Sequence, residues 1–374
     1  MNYFYDESSD ATAVELNEDD IYEDFNIALN QFRQDVGRVN ILVTGRTGVG
    51  KSTLINSIFH ENFAEVDIGR PVTQKIQEYS KPGSPITIID TKGLEIKDYY
   101  VILRDIENYI ENRRNNINTS EQLHVAWVCI AENSDRFEPA EKALIEVLIR
   151  YKIPVIVVIT KAMCDRGLEK IIKDYCPLIK GIVRVRAEKF VFEGGVELPS
   201  LNLSKLVELT NDVLDEGMKN AFIASQKVQW ELKFAIAFFI IENSKKRIQK
   251  KMYIPFNQSR CIIKELVRMI TEISSLYGLE LGRESIISIV KTIYDGKNKN
   301  ARYITLNILK FIPIVNIKAK RITGSEAAES IEQIGILYLK AVINAYKNTL
   351  NDTPTKNDIL ISLVSIIRDI CRFD

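Results

Sequence analysis

The chain has 374 residues, of which 46% are hydrophobic and 27% charged. That is enough apolar material to bury a sizeable core and too much for a disordered chain. Lys+Arg and Asp+Glu both total 50, so the formal net charge is zero and a uniformly basic nucleic-acid binder is excluded. Five cysteines without paired spacing argue against a disulfide framework, and two histidines leave little for a histidine-based metal site.

The balance hides an asymmetry. Residues 1–32 hold nine acids and no Lys or Arg, leaving 50 basic against 41 acidic residues over 33–374. The opening MNYFYDESSD lacks the basic-then-apolar order of a signal peptide, and a cytoplasmic location is expected, with peripheral membrane association as the alternative.

Residues 1–20 read as an acidic, disordered lead-in, and 21–36 as a helix with apolar spacing near 3.6. Val39–Thr44 reads as a buried strand and about Lys51–Phe59 as a helix. Further strands are expected at Ile86–Asp90, His124–Ile130, Val155–Thr160 and Gly181–Val185, with helices between them such as Pro139–Tyr151. Continuously apolar strands alternating with helices predict an α/β domain, its mostly parallel sheet covered on both faces. From Ser204 onward the strand signal vanishes. Helices are expected over Ser204–Leu214, Gly217–Lys251, up to Tyr277 with Gly278 as the stop, Arg283–Tyr294, Ser325–Tyr346 and Asn357–Arg372. The domains expected are residues 21–215 and an all-α domain over 216–374. The longest apolar run, Phe234–Ile241, is eight residues, too short for a bilayer. It reads as a buried core helix, with a membrane-surface helix as the less favoured alternative.

One motif carries specific chemistry. Gly45-Arg46-Thr47-Gly48-Val49-Gly50-Lys51-Ser52 matches GxxxxGK[ST] and lies between a strand and a helix. Glycines let backbone N–H groups converge on phosphate oxygens, and the helix adds its positive end. Lys51 would hold the terminal phosphates, Ser52 would ligate Mg²⁺, and Thr53 completes the first turn. Asp90-Thr91-Lys92-Gly93 closes the second expected strand, where Asp90 would orient a Mg²⁺ water and Gly93 would offer its N–H to the γ-phosphate. Thr73, between the two motifs, would add a hydroxyl to Mg²⁺ and act as a nucleotide sensor. Thr160-Lys161 ends the fourth strand, where the Lys161 stem would cover a purine ring. A guanine pocket wants a carboxylate two residues after that lysine. Met163 stands there, and Asp165 lies two residues further on. Arg186-Ala187 would offer a backbone N–H to the base oxygen.

The set GRTGVGKST, GRPVT, DTKG, TK and RA resembles an Era-like GTPase of the translation-factor-related class. Ala221–Gln226, Ile254-Pro-Phe256, Leu276-Tyr-Gly278 and Leu309–Pro313 resemble the helical domain that follows such GTPase domains in many bacterial proteins. A looser resemblance is to immunity-related GTPases. It implies GTP/GDP and Mg²⁺ as ligands, and a GTP-hydrolysing switch with Lys51, Thr73 and Gly93 at the reacting phosphate. A homodimer or a protein effector would be reached through the helical domain; nucleic acid is not favoured. A nucleotide-dependent dimer or membrane-associated scaffold with little turnover is the alternative. The chain departs from the family at Met163, at Lys92 in DTKG, and at Arg186 where the family has Ser. Leu94 offers no polar group to orient water, so slow intrinsic hydrolysis is expected.

Overall fold

The computed structural model describes residues 16–59, 70–71, 76–80, 85–91, 99–114, 121–134, 136–251, 258–279, 281–294 and 323–349. In chain order the helices are α1 (Glu18–Val36), α2 (Lys51–Ile58), α3 (Tyr99–Arg114), α4 (Pro139–Arg150), α5 (Leu168–Tyr175), α6 (Leu203–Val213), α7 (Glu216–Ser225), α8 (Trp230–Lys251), α9 (Gln258–Leu276), α10 (Arg283–Tyr294) and α11 (Gly324–Thr349). The strands are β1 (Val39–Gly45), β2 (Arg70–Pro71), β3 (Ile76–Tyr79), β4 (Ile86–Thr91), β5 (Val125–Ala131), β6 (Val155–Thr160), β7 (Gly181–Arg184), β8 (Phe190–Val191) and β9 (Glu197–Leu198). Two compact units emerge: Arg33–Lys233, and the described parts of Met1–Phe32 and Phe234–Asp374.

The first unit is the expected α/β domain. Its seven-stranded sheet runs β2-β3-β4-β1-β5-β6-β7. The pairs from β4 through β7 are parallel, and β2 and β3 add an antiparallel edge. Every residue of β1, β5 and β6 is buried, as a parallel sheet between helix layers requires. On one face Ile106, Ile110, Leu144, Leu148 and Ile172 join Val128, Ile130 and Val157 in a single core. The edge strands β2 and β3 and the β8–β9 hairpin were not expected. They are two to four residues long, too short to display a strand pattern.

An aromatic stack explains where this unit ends. Phe59 stacks on Trp127 with ring centroids 5.8 Å apart, and Phe222 of α7 meets Phe59 edge-on at 6.2 Å. The Trp127 indole N–H donates to Thr210 of α6 at 3.0 Å. The segment Ala221–Gln226, read from sequence as part of the helical domain, is thus built into the α/β unit, which runs to Lys233 and not to residue 215.

The single helix expected over Gly217–Lys251 is two helices. The buried Gln226 side chain separates them. Its Oε1 accepts the N–H groups of Val228 (2.7 Å) and Gln229 (2.8 Å), and its Nε2 donates to the Gln229 carbonyl at 2.9 Å. These bonds replace the backbone ladder that a continuous helix would make.

The second unit is helical. Residues 18–20, read from sequence as disordered lead-in, form the first turn of α1. Acids there suit the positive end of the helix dipole. They also pair outward: Asp19 with Arg283 and Glu18 with Lys291 of α10. Buried Asp24 lies 2.9 Å from Arg260 and 3.1 Å from Lys264 of α9. These pairs explain why α1 through Phe32 groups with the helical unit although the sequence suggested the α/β domain. Gly335 of α11 lets that helix approach α8 and α9; an added Cβ would sit 2.8 Å from Ile241 and 2.9 Å from Met269. Gly278, at φ 71°, terminates α9 as expected.

The run Phe234–Ile241 is not uniformly buried. Ala237, Ile240 and Ile241 face the core, whereas Phe234, Phe238 and Phe239 are exposed. The expectation of an all-round core helix is corrected. Among the described residues, no helix is long and apolar enough to cross a membrane. The expected helix Asn357–Arg372 lies outside the described residues.

Candidate nucleotide site

Strand β1 delivers the chain to a tight loop at the carboxyl end of the sheet, where α/β folds place ligands. Gly45 enters the loop at φ 146°, with Gly48 at 77° and Gly50 at 98°. These left-handed values suit glycine alone. Gly45 is also required by space, since a Cβ there would lie 2.3 Å from the Cys129 carbonyl oxygen. Gly50 caps α2, so the first N–H groups of that helix open toward the loop.

Lys51 is buried and folds back over the loop. Its ammonium donates to the carbonyls of Gly45 (3.1 Å) and Arg46 (3.3 Å). Thr47, Gly48 and Ser52 are exposed, and Thr53 is half-buried, its carbonyl accepting from Ser57 at 2.8 Å. Val49 is buried, and its carbonyl accepts from the Thr160 hydroxyl at 2.6 Å. Thr160 therefore ties the end of β6 to the loop. Next to it Lys161 takes a left-handed φ of 54°, with its Cε 4.0 Å from where a Cβ on Gly50 would stand.

Asp90, the last residue but one of β4, lies directly beside β1, in register with Val43. Its Oδ1 is buried and accepts no hydrogen bond. Burial raises its carboxyl from the ordinary 3.8 to about 6, against the opposing pull of Lys51 and a bond from the Thr91 backbone. The Thr91 hydroxyl donates to Thr44 at 2.8 Å, locking β4 to β1 at that level. Cys129 lies under the same loop; burial pushes its thiol up to about 12, so it is an inert packing group. An orphaned carboxylate oxygen beside an ammonium, at the mouth of a glycine loop, fits a hydrated Mg²⁺ accompanying a phosphate chain.

The base-side loops are held by a carboxylate that the sequence reading missed. Glu132, buried, follows β5. Its Oε2 accepts the N–H groups of Met163 and of Cys164 (2.8 Å), and its Oε1 accepts from Arg184 at 2.6 Å. Burial alone would raise Glu132, but the bonds from Arg184, Met163 and Cys164 outweigh it and hold the carboxyl below its ordinary value. A carboxylate directly after an apolar parallel strand was the available signal. Asp165 accepts the Gly167 N–H at 2.9 Å and lies 3.6 Å from Arg184. Arg186 donates through its side chain to the carbonyls of Ala162 (3.0 Å) and Pro199, and its backbone N–H to Leu201 at 3.2 Å. The structure thus brings together Gly45–Ser52, Asp90, Thr160, Lys161 and, through Ala162, the Arg186-Ala187 loop. Thr73, Lys92, Gly93 and Leu94 lie outside the described residues, as does the side chain of Arg70.

Residues 40–161 match the family model described as 50S ribosome-binding GTPase. This stretch is a P-loop GTPase domain. Over 83 residues the chain is 40% identical to the protein "Translocase of chloroplast 90, chloroplastic" of Arabidopsis thaliana, covering 20% of this chain and 10% of that one. Over 192 residues it is 25% identical to GTPase Der of Aquifex aeolicus, covering 50% and 42%. The chain thus spans a tenth or less of the first chloroplast translocases it matches. Among solved structures it is similar to a probable GTP-binding protein engB (TM-score 0.34, 21% identity, 47% of this chain and 98% of that one). Another is Aquifex aeolicus Era bound to GDP.AlF4- (0.33, 19%, 56% and 67%).

Proposed function

We propose that the chain is an Era-like molecular switch that binds GTP with Mg²⁺ and hydrolyses it slowly. The observation that carries this reading is Asp90. Its buried, unpartnered oxygen beside the Lys51 loop has a reason to be there only if a cation or its water completes it. Ser52 and Thr73 would hold Mg²⁺, Asp90 would orient one of its waters, and the Gly45–Ser52 loop would bind the phosphates. Mg²⁺ would screen the charge that develops on the phosphates. Lys51 would stay in place as the fixed positive charge against them.

The register supports the role of Thr73. Strand β3 sets Gln77 beside Asp90 and Ile76 beside Thr91, and Thr73 precedes Ile76 by only three residues, a span of about 10 Å at full extension. A γ-phosphate would order the segments around Thr73 and Gly93, and its loss would release them to move the helical unit.

A second reading, a nucleotide-dependent dimer or membrane-associated scaffold with little turnover, is favoured by the exposed Phe234, Phe238 and Phe239 of α8. The first test is Lys51→Ala. Titration with GTP and Mg²⁺ should show binding abolished, while circular dichroism stays that of wild type. Unchanged affinity would reject the nucleotide site.

A further inference from the structure

We propose that the exposed phenylalanine face of α8 is the docking surface for the chain's own segment 357–372, which lies as a helix along the groove between α8 and α11. The inference goes beyond the switch reading and stands without it.

The face is continuous. Phe234, Ala235, Phe238 and Phe239 are all exposed and share one side of α8, turned away from the buried Ala237, Ile240 and Ile241. The rings of Phe234 and Phe238 meet edge-on at 4.7 Å, so they form one surface. Ala235 beside them leaves room for a second backbone to come close. Two turns of a helix with an apolar outer side call for a cover.

The neighbouring helix shows where the cover would come from. A Cβ on Gly324 of α11 would lie 2.9 Å from the Gln249 carbonyl oxygen, Glu332 pairs with Lys245, and a Cβ on Gly335 would lie 2.8 Å from Ile241. These three levels make α11 antiparallel to α8. At equal rise per residue, Phe238 and Phe234 fall level with positions about three and seven residues beyond Gly335. The chain therefore leaves α11 at the phenylalanine end of α8. Ile336 and Ile343 lie on the same stripe of α11 as Glu332 and are only half-buried, which gives the groove a second apolar wall.

Segment 357–372 suits this groove. Ile359, Leu360, Leu363, Ile366, Ile367 and Ile370 recur at helical spacing along one stripe. Residues 350–356 connect it to α11 and include Pro354, which breaks a helix. A connection of that length is usual between neighbouring antiparallel helices, and it would return the chain along α8. The tether also favours this segment over a second copy of the chain. A short linker holds its cargo at an effective concentration in the millimolar range, which a second molecule at micromolar concentration does not match. Association through α8 would then require that the segment be displaced.

The test is photo-crosslinking in the full chain, with p-benzoyl-phenylalanine in place of Phe238 and, separately, of Phe234. Expected is a product of monomer mass in which tryptic peptide 234–245 is joined to peptide 357–368. Leu363→Asp should lower its yield about tenfold or more, since one buried leucine is worth at least that factor. A product of twice the chain mass would overturn the proposal and make a second copy the occupant. Crosslinking into vesicles of phosphatidylcholine and phosphatidylglycerol, with no peptide product, would overturn it in favour of a lipid surface. No product at either position, a monomer product with any other peptide, or a yield indifferent to Leu363→Asp would overturn it as well.

Discussion

At the scale of single residues the site contains charges that the ligand-free fold tolerates at a cost. Asp90 has its carboxyl raised from 3.8 to about 6, first by burial. A raised carboxyl means the folded state holds a proton that the unfolded state has lost between those values. Stability of the ligand-free protein should therefore fall as pH rises from about 4 to about 6, by up to about 3 kcal/mol from this group. Mg²⁺ needs the ionised form, so Mg²⁺-dependent nucleotide affinity should run the other way and weaken as pH drops through about 6. Asp90→Asn separates the two effects. Thermal unfolding at pH 8 should show the ligand-free variant more stable than wild type, while calorimetry shows Mg²⁺-assisted binding lost. A variant less stable at pH 8 would mean that Asp90 is a structural partner.

Much of this level was legible. The spacing of Gly45, Gly48, Gly50 and Lys51 between a strand and a helix is a local signal, and a sequence displays local signals directly. The roles of Glu132, Asp165 and Arg184 were not, because they depend on residues 19 to 52 positions apart meeting at one end of the sheet.

At the scale of elements, the buried strands were read correctly because both faces of a parallel strand are apolar, so the pattern is continuous and unmistakable. Strands β2, β3, β8 and β9 escaped because short edge pieces are specified by pairing with a neighbour. The division between α7 and α8 escaped for another reason. Neither Gly nor Pro marks it; a glutamine side chain does the work of a turn. That interpretation gives a direct test. Gln226→Ala leaves the Val228 and Gln229 N–H groups without their acceptor and opens space in a fully buried position. The loss should be about 2–4 kcal/mol, combining an unmade hydrogen-bond set with a cavity. Chemical denaturation should show this as a lower midpoint with the slope unchanged. A change under about 0.5 kcal/mol would show that the backbone alone sets the break. Val228 and Gln229 would then have other acceptors, and α7 would owe its end to the antiparallel bridge between Phe59 and Gln226.

At the scale of the whole molecule, the question is whether the chain completes its own chemistry. Leu94 cannot orient an attacking water, so turnover by an isolated chain should be slow. Arg70 and Lys92 flank the nucleotide motifs in sequence, and a positive charge brought to the γ-phosphate is worth about 10³–10⁵ in rate where such arrangements operate. Both units offer surface for association. Phe239 of α8 is 65% exposed, with Phe234 and Phe238 beside it, and the β8–β9 hairpin exposes Phe190, Phe192 and Val196. Apolar groups gathered in this way mark contact sites more often than chance exposure does. We therefore expect turnover per molecule to rise with protein concentration over a hundredfold range, and Arg70→Ala or Lys92→Ala to flatten that rise without weakening GTP binding. Phe239→Ser should flatten it too if α8 forms the contact, with sedimentation reporting the loss of the associated species. A profile that is flat for wild type, with unaffected variants, would reject activation by self-association. Faster turnover would then require a partner that supplies the missing charge.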